Sequence, residues 1–174
     1  REPVDDAVLT TAVAAATREV VAKQLAAGIH VGNDGEQPRE SFFTYVRDRM
    51  SGFAGQSQRP VMRDLTRYPT FIERMMLELG RPQVSLLSAP QAVGDVRYTD
   101  STPLAREMDA FAATLEGHTP SFTETFWTAP SPGIVACAMQ NAHYPSLDAY
   151  VDAVADALAA EYEAIVERGH VLQI

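Results

Sequence analysis

Between residues 147 and 168 apolar side chains recur at helical spacing (Leu147, Tyr150, Val151, Val154, Leu158, Tyr162, Ile165), with Ser146 in front and Gly169 behind. The pattern predicts a long helix with one buried stripe, an N-cap and a glycine stop, and the HVLQI that follows predicts a strand. The front of the chain has the same syntax. Residues 3–27 are rich in Ala, Val, Leu, Glu and Lys, with Asp5 and Asp6 near the start and Gly28 past the end, which predicts a second long helix. IHVGND, apolar and β-branched at first, predicts a strand after it.

Similar units lie between these two. SFFTYVRDRMSGF (41–53) predicts a helix. Residues 54–82 are polar, Arg-rich and interrupted by Pro60, Pro69 and Pro82, so they read as an insertion with one short helix over 69–79. APQAVGDVRYTD (89–100) carries a second strand, and TPLAREMDAFAATLEG (102–117) a helix with Pro103 in its first turn and Gly117 as its stop. SFTETFWTAPSPG (121–133) supplies a third strand.

Strands separated by helices predict parallel pairing with right-handed crossovers, in a doubly wound sheet or a (β/α) barrel. Charged or turn-rich clusters end the first three strands (NDGE, YTD, TAPSPG), where barrel active sites are assembled. No Gly-x-Gly-x-x-Gly or Walker loop follows a strand, so the open nucleotide-binding sheet lacks its marker. A full eight-stranded barrel takes at least about 200 residues. This chain has 174, begins in a helix and ends in a strand. The expected fold is therefore α/β: one incomplete TIM-barrel domain over residues 1–174, about four βα units of a (β/α)8 barrel, with the first strand and C-terminal half absent and a polar insertion around 54–82. Such a half leaves two strand edges and a wide apolar surface, so a homo-oligomer is expected.

Composition narrows the partners. With 46% hydrophobic and 21% charged residues the chain is an ordinary globular one, and no apolar run is long enough to span a bilayer. A net charge of -9 argues against nucleic acid and anionic membrane and for a small-molecule ligand. The single cysteine, Cys137, excludes an internal disulfide and agrees with a cytoplasmic setting.

Three clusters could carry chemistry. Asp34, Glu36, Arg39 and Glu40 surround Gly35 and Pro38 at a strand end. There a carboxylate pair could bind an ammonium group or handle a proton, or Asp34 or Glu36 could simply cap the next helix. In GDVRYTD, Asp95, Arg97, Tyr98 and Asp100 alternate with Val96 and Thr99, which suits a ligand site or an Asp95–Arg97 structural pair. TAPSPG forces a rigid turn that could aim Thr128, Ser131 and backbone amides at a ligand, or only turn the chain. His30, His118, His143, His170 and Cys137 raise zinc, but their spacings form no ligand motif, and no nucleophile elbow marks a serine triad.

Taken together, GIHVGNDGEQPRESFFTYVRDRMSGF, the GDV of the second strand, TAPSPG, NAHYPSLDAY and EYEAIVERGHVLQI resemble the cobalamin-independent methionine synthase family, above all its shorter single-barrel, methionine synthase II-like members. The resemblance implies a (β/α)8 barrel that transfers a methyl or alkyl group to or from a thiol held as a zinc thiolate, as in 5-methyltetrahydropteroyltriglutamate–homocysteine S-methyltransferases. Zinc keeps a bound thiol deprotonated at neutral pH. The implied partners are homocysteine or another small thiol and methyltetrahydrofolate.

By the same resemblance, Glu36 matches the family's Gly-Glu glutamate, which receives the amino group of homocysteine, and Gly35 the glycine before it. Asp34 stands where the synthases usually have histidine. Arg39 and Tyr45 fall on family positions with no role assigned. Asp95 lies in the matching GDV, and Thr128 and Pro130 match a Thr-Gly-Pro, with Ala129 in place of glycine. The expected substrate-binding residues are Glu36, Asp34, Asp95, Tyr98, Thr128 and Ser131. The family's first strand would precede Arg1, and an Asp would follow Ile174. The His-x-Cys motif and remaining zinc ligands would lie in the absent half. No catalytic residue or metal ligand is therefore expected within the chain, which alone would be inactive. The alternative is a non-enzymatic binding or assembly module completed by a partner chain.

Overall fold

The computed structural model describes residues 5–57, 63–79, 89–119 and 121–174. Helix α1 (Asp6–Ala26) is capped by Asp5, whose carboxylate accepts from the amides of Ala7 and Val8. It is left through Gly28 at φ +76°, a left-handed turn that glycine adopts without steric cost. Next come β1 (Val31–Gly32), a 3₁₀ helix (Thr44–Asp48) and β2 (Met50–Ala54). Two helices, α2 (Arg63–Arg67) and α3 (Pro69–Leu79), precede β3 (Gln91–Tyr98). The remainder is α4 (Thr102–Glu116), β4 (Glu124–Thr128), α5 (Pro132–Ala138), α6 (Leu147–Glu167) and β5 (Val171–Gln173).

The strands form two sheets. Parallel β1, β4 and β5 lie side by side in that order, with Val31 opposite Glu124 and Trp127 opposite Leu172. Strands β2 and β3 pair with each other, antiparallel. The chain is thus α/β with a parallel sheet and helices, as the alternation predicts, but two expectations are corrected.

Residues 41–53 are not a helix: a short 3₁₀ turn gives way to β2. Gly52 shows the physical reason. It sits at φ +89° where the β2–β3 register shifts, and a Cβ there would lie 2.6 Å from the Asp95 carbonyl oxygen. That conformation belongs to a bulged ladder, and the distant strand β3, invisible to local periodicity, selects it.

The second correction concerns 89–100, which form a strand but not part of the parallel wall. The partner of β3 is β2, with a long connection between them instead of a crossover helix onto the wall. Helix α3 occupies the predicted 69–79, α2 is additional, and residues 58–62 and 80–82 of the expected insertion lie outside the described residues.

One face of the parallel sheet is covered by helices. Val21 of α1, Leu104, Met108 and Phe111 of α4 and Ile165 of α6 bury Trp127, and each fully buried apolar side chain of this size contributes about 1.5–3 kcal/mol. Gly32 lies on this face, where a Cβ would fall 2.2 Å from the Phe122 ring. Strand alternation turns Phe126 and Val171 to the opposite face, and Val31 and Val171 are each 44% exposed. A second core packs β2 and β3 on α5 and α6 through Val46, Met50, Val96, Val135, Tyr150 and Leu158.

Candidate functional site

The residues after β1 form a tightly tied loop at the carboxyl end of the parallel sheet. Gln24 of α1 holds Asn33 at both backbone groups: its Nε2 donates to the Asn33 carbonyl at 2.9 Å, and its Oε1 accepts from the Asn33 amide at 3.2 Å. Asn33 Oδ1 accepts from the Gly35 amide at 3.0 Å and Asp34 Oδ1 from the Glu36 amide at 2.9 Å. These turns carry Gly35 (φ +69°) and Glu36 (φ +56°) through the left-handed region. Among the described residues Glu36 is the one non-glycine there, at a cost of about 1–2 kcal/mol. Its half-buried carboxylate makes no hydrogen bond or ion pair with any described residue. Neither Asp34 nor Glu36 caps a helix.

Asp34 is 3% exposed, and its second oxygen, Oδ2, has no hydrogen-bond partner among the described residues. Burial is the main cause that raises its pKa above the ordinary aspartate value. The Glu36 amide and the Arg39 charge work against the shift, while Glu107 and Glu36 add to it.

Arg39 joins this loop to β4 and α4. Its Nη1 donates to the Thr128 carbonyl at 2.7 Å and to Thr128 Oγ1 at 3.0 Å, and its Nε to Glu107 at 3.4 Å. The guanidinium lies 4.9 Å from the Tyr45 ring centre and 5.2 Å from that of Trp127. Glu107 turns its other oxygen to Arg49 at 2.5 Å, and Arg49 reaches Glu161 at 3.0 Å. Glu161, 0% exposed, also accepts from the Tyr45 hydroxyl at 2.6 Å and the Tyr98 hydroxyl at 2.9 Å. Burial and the adjacent Glu161 charge push both phenols upward, so they stay protonated donors. The pKa of Arg49 is also raised: burial opposes its charge, and Glu161 and Glu107 outweigh it.

Of the expected site residues, Asp34, Glu36 and Thr128 are gathered by the Arg39 loop. Ser131 lies just beyond Thr128, and its Oγ caps α5 by accepting from the Ile134 amide at 3.2 Å. Tyr98 reaches the same assembly from the other sheet, through its hydroxyl on Glu161. Asp95 stands on the other sheet, exposed, between Arg97 and His143, each at 3.1 Å. The hydrogen bond from His143, then Arg97, lowers its pKa. Asp95 and Tyr98 share a groove of about 610 Å³ along β3 and α6 that no residue of the Glu36 loop lines.

Glu107, Arg49 and Glu161 were not expected here. Glu161 had a signal in the sequence: it falls between Leu158 and Ile165 on the apolar stripe of the last helix, where a carboxylate must find a buried cation. Among the described residues no three His, Cys, Asp or Glu side chains gather where a metal ion could sit, and no helix is long and apolar enough to cross a membrane.

No family model and no curated protein matches this chain. Among solved structures it is similar to a B12-independent methionine synthase from Shewanella sp. W3-18-1, determined in complex with selenomethionine. The TM-score is 0.67 with 22% sequence identity, over 96% of this chain and 42% of that protein. The chain thus spans less than half the length of its structural neighbour, and what the two share is the fold.

Proposed function

We propose that this chain supplies part of a (β/α)8 barrel that transfers a methyl or alkyl group to a thiol, and that Glu36 receives the ammonium group of an amino-acid thiol such as homocysteine. One observation carries the assignment. Glu36 is a carboxylate without a partner among the described residues, held in a strained conformation at the carboxyl end of a parallel sheet, while Asp34, Arg39 and Glu40 beside it are engaged. Strain of this kind persists where the surroundings over-determine it, and function is a common reason. The likeness of fold to a methionine synthase supports the reaction class.

In this reading the loop fixes one carboxylate so that it does not have to be ordered on binding, and a charge-assisted hydrogen bond to the ammonium orients the thiol. Thr128 and Ser131 border the same end of the sheet. A zinc ion would supply thiolate chemistry, but the described residues form no zinc site, so no step at a metal is assigned to them. Its ligands are proposed to lie outside this chain, as does the groups' methyl donor site for a methyltetrahydrofolate.

Titration of ¹⁵N-labelled protein with L-homocysteine tests the location. The amides of Gly35, Glu36 and Thr128 should shift saturably, and Glu36→Gln should weaken the binding that these shifts report; shifts confined to the β3–α6 groove would overturn it. A second reading, a non-catalytic module completed by a partner chain, is favoured by the exposure of Val31, Val171 and Ile174. Size-exclusion chromatography with metal analysis separates the two: a zinc-free, stably associated chain that ignores homocysteine supports the module.

A further inference from the structure

The loop that carries Glu36 is pinned on both sides of that residue. After it, the Arg39 side chain is fixed to Thr128, and the Arg39 amide donates to the Glu36 carbonyl at 3.1 Å. Before it, the ladder between β1 and β4 stops at Gly32, and Asn33 is held by α1 instead.

That hold comes from one side chain. Gln24 commits both polar atoms of its amide to Asn33, donating to the carbonyl at 2.9 Å and accepting from the backbone N–H at 3.2 Å. The peptide group of a neighbouring strand would satisfy Asn33 in the same way; here a half-buried helix residue does so. Val20 lies one turn earlier on the same face of α1 and supports the next residues of the loop. A Cβ on Gly35 would fall 2.8 Å from Val20 Cγ1, so the loop backbone rests directly on this side chain. From Asn33 the constraint passes on through its own Oδ1, which accepts from the Gly35 amide at 3.0 Å. Gly35 and Glu36 then follow in left-handed backbone.

The bonds within the turn, from Gly35 to Asn33 and from Glu36 to Asp34, fix its shape but not its place against the sheet. Gln24 fixes the place. A strained residue persists where its surroundings over-determine it, and a carboxylate already in position binds without the cost of being ordered.

We propose that Gln24 is a positioning residue for Glu36. Acting through Asn33, it sets where the carboxylate stands and therefore how tightly the site holds an ammonium group, with no contact of its own to the ligand required. The proposal rests on Glu36 as the ammonium receptor and adds a dependence of that site on α1.

The test is Gln24→Met, which keeps the reach of the side chain and its helix propensity and removes both hydrogen bonds. L-Homocysteine and 4-mercaptobutyrate, which lacks the ammonium group, are titrated into the native chain, Gln24→Met, Glu36→Gln and the double variant. Gln24→Met should weaken homocysteine about fivefold or more and leave 4-mercaptobutyrate unchanged. On the Glu36→Gln background it should weaken homocysteine no further, because the two residues act as one unit. Without ligand, the ¹⁵N-amide signals of Gly35 and Glu36 should move in Gln24→Met while those of α6 stay in place. A merely structural role would weaken both ligands alike. Unchanged homocysteine affinity in Gln24→Met where Glu36→Gln lowers it, equal loss for the two ligands, or the same loss on both backgrounds would overturn this proposal and leave the Glu36 assignment standing. No effect of Glu36→Gln on homocysteine would overturn that assignment, and the positioning role with it.

Discussion

Two residues of the loop after β1 separate strain from function. If Glu36 is held left-handed for its carboxylate, Glu36→Gly should relieve the backbone and raise stability by about 1 kcal/mol while removing homocysteine binding. A denaturant melt and a binding titration on the same variant check both halves. Asp34 carries a pH signature. Folding raises its pKa, so the folded state holds the proton more tightly than the unfolded chain does. Stability from this group is therefore greatest below the ordinary aspartate range and falls as pH rises through the folded pKa. Asp34→Asn keeps Oδ1 for the Glu36 amide and removes the buried charge. It should be about 1 kcal/mol more stable than the native chain at pH 7, the gain shrinking as pH falls through that window. Urea midpoints across pH measure this.

At the scale of elements, Glu161 fastens four of them together: α6, the 3₁₀ helix, and both strands of the antiparallel pair, through Tyr45, Arg49 beside β2, and Tyr98 of β3. Truncating it leaves the buried Tyr45 hydroxyl and the half-buried Tyr98 hydroxyl without this acceptor and Arg49 with Glu107 alone of its two carboxylates. Glu161→Ala should cost about 3–5 kcal/mol, and Glu161→Gln less, since an amide oxygen still accepts. Denaturant unfolding of both variants gives the comparison. The same network marks the limit of local reading. The long helices α1, α4 and α6 and their caps follow from spacing and from Ser146, Gly28 and Gly117. The β2–β3 pair does not, because residues 50–54 become a strand only against a partner some forty positions away, with Gly52 allowing the bulge. Arg39 and Glu107 are 68 positions apart, so no local pattern pairs them.

For the whole molecule, alternation of helices and strands was enough to anticipate a parallel sheet with charged loops at its carboxyl end. It overstated that sheet by one strand, because alternation alone cannot tell a wall strand from one that pairs in a separate antiparallel layer. The outcome is a three-stranded parallel wall with helices on one face and Val31 and Val171 uncovered on the other. Such a face favours association, so elution volume should depend on concentration, and Val171→Lys should shift the chain towards monomer by analytical ultracentrifugation. Within this frame the Glu36 loop owes its place to the meeting of β1, β4 and α4 around Arg39. That convergence is tertiary, although the loop's charge was visible in the chain.

The most direct measurement is a comparison of two ligands on two proteins: L-homocysteine and 4-mercaptobutyrate, the same thiol acid without its ammonium group, on the native chain and on Glu36→Gln. If Glu36 receives the ammonium, the substitution should weaken homocysteine by about tenfold or more and leave 4-mercaptobutyrate unchanged. Equal effects on the two ligands, or none on homocysteine, would contradict the assignment.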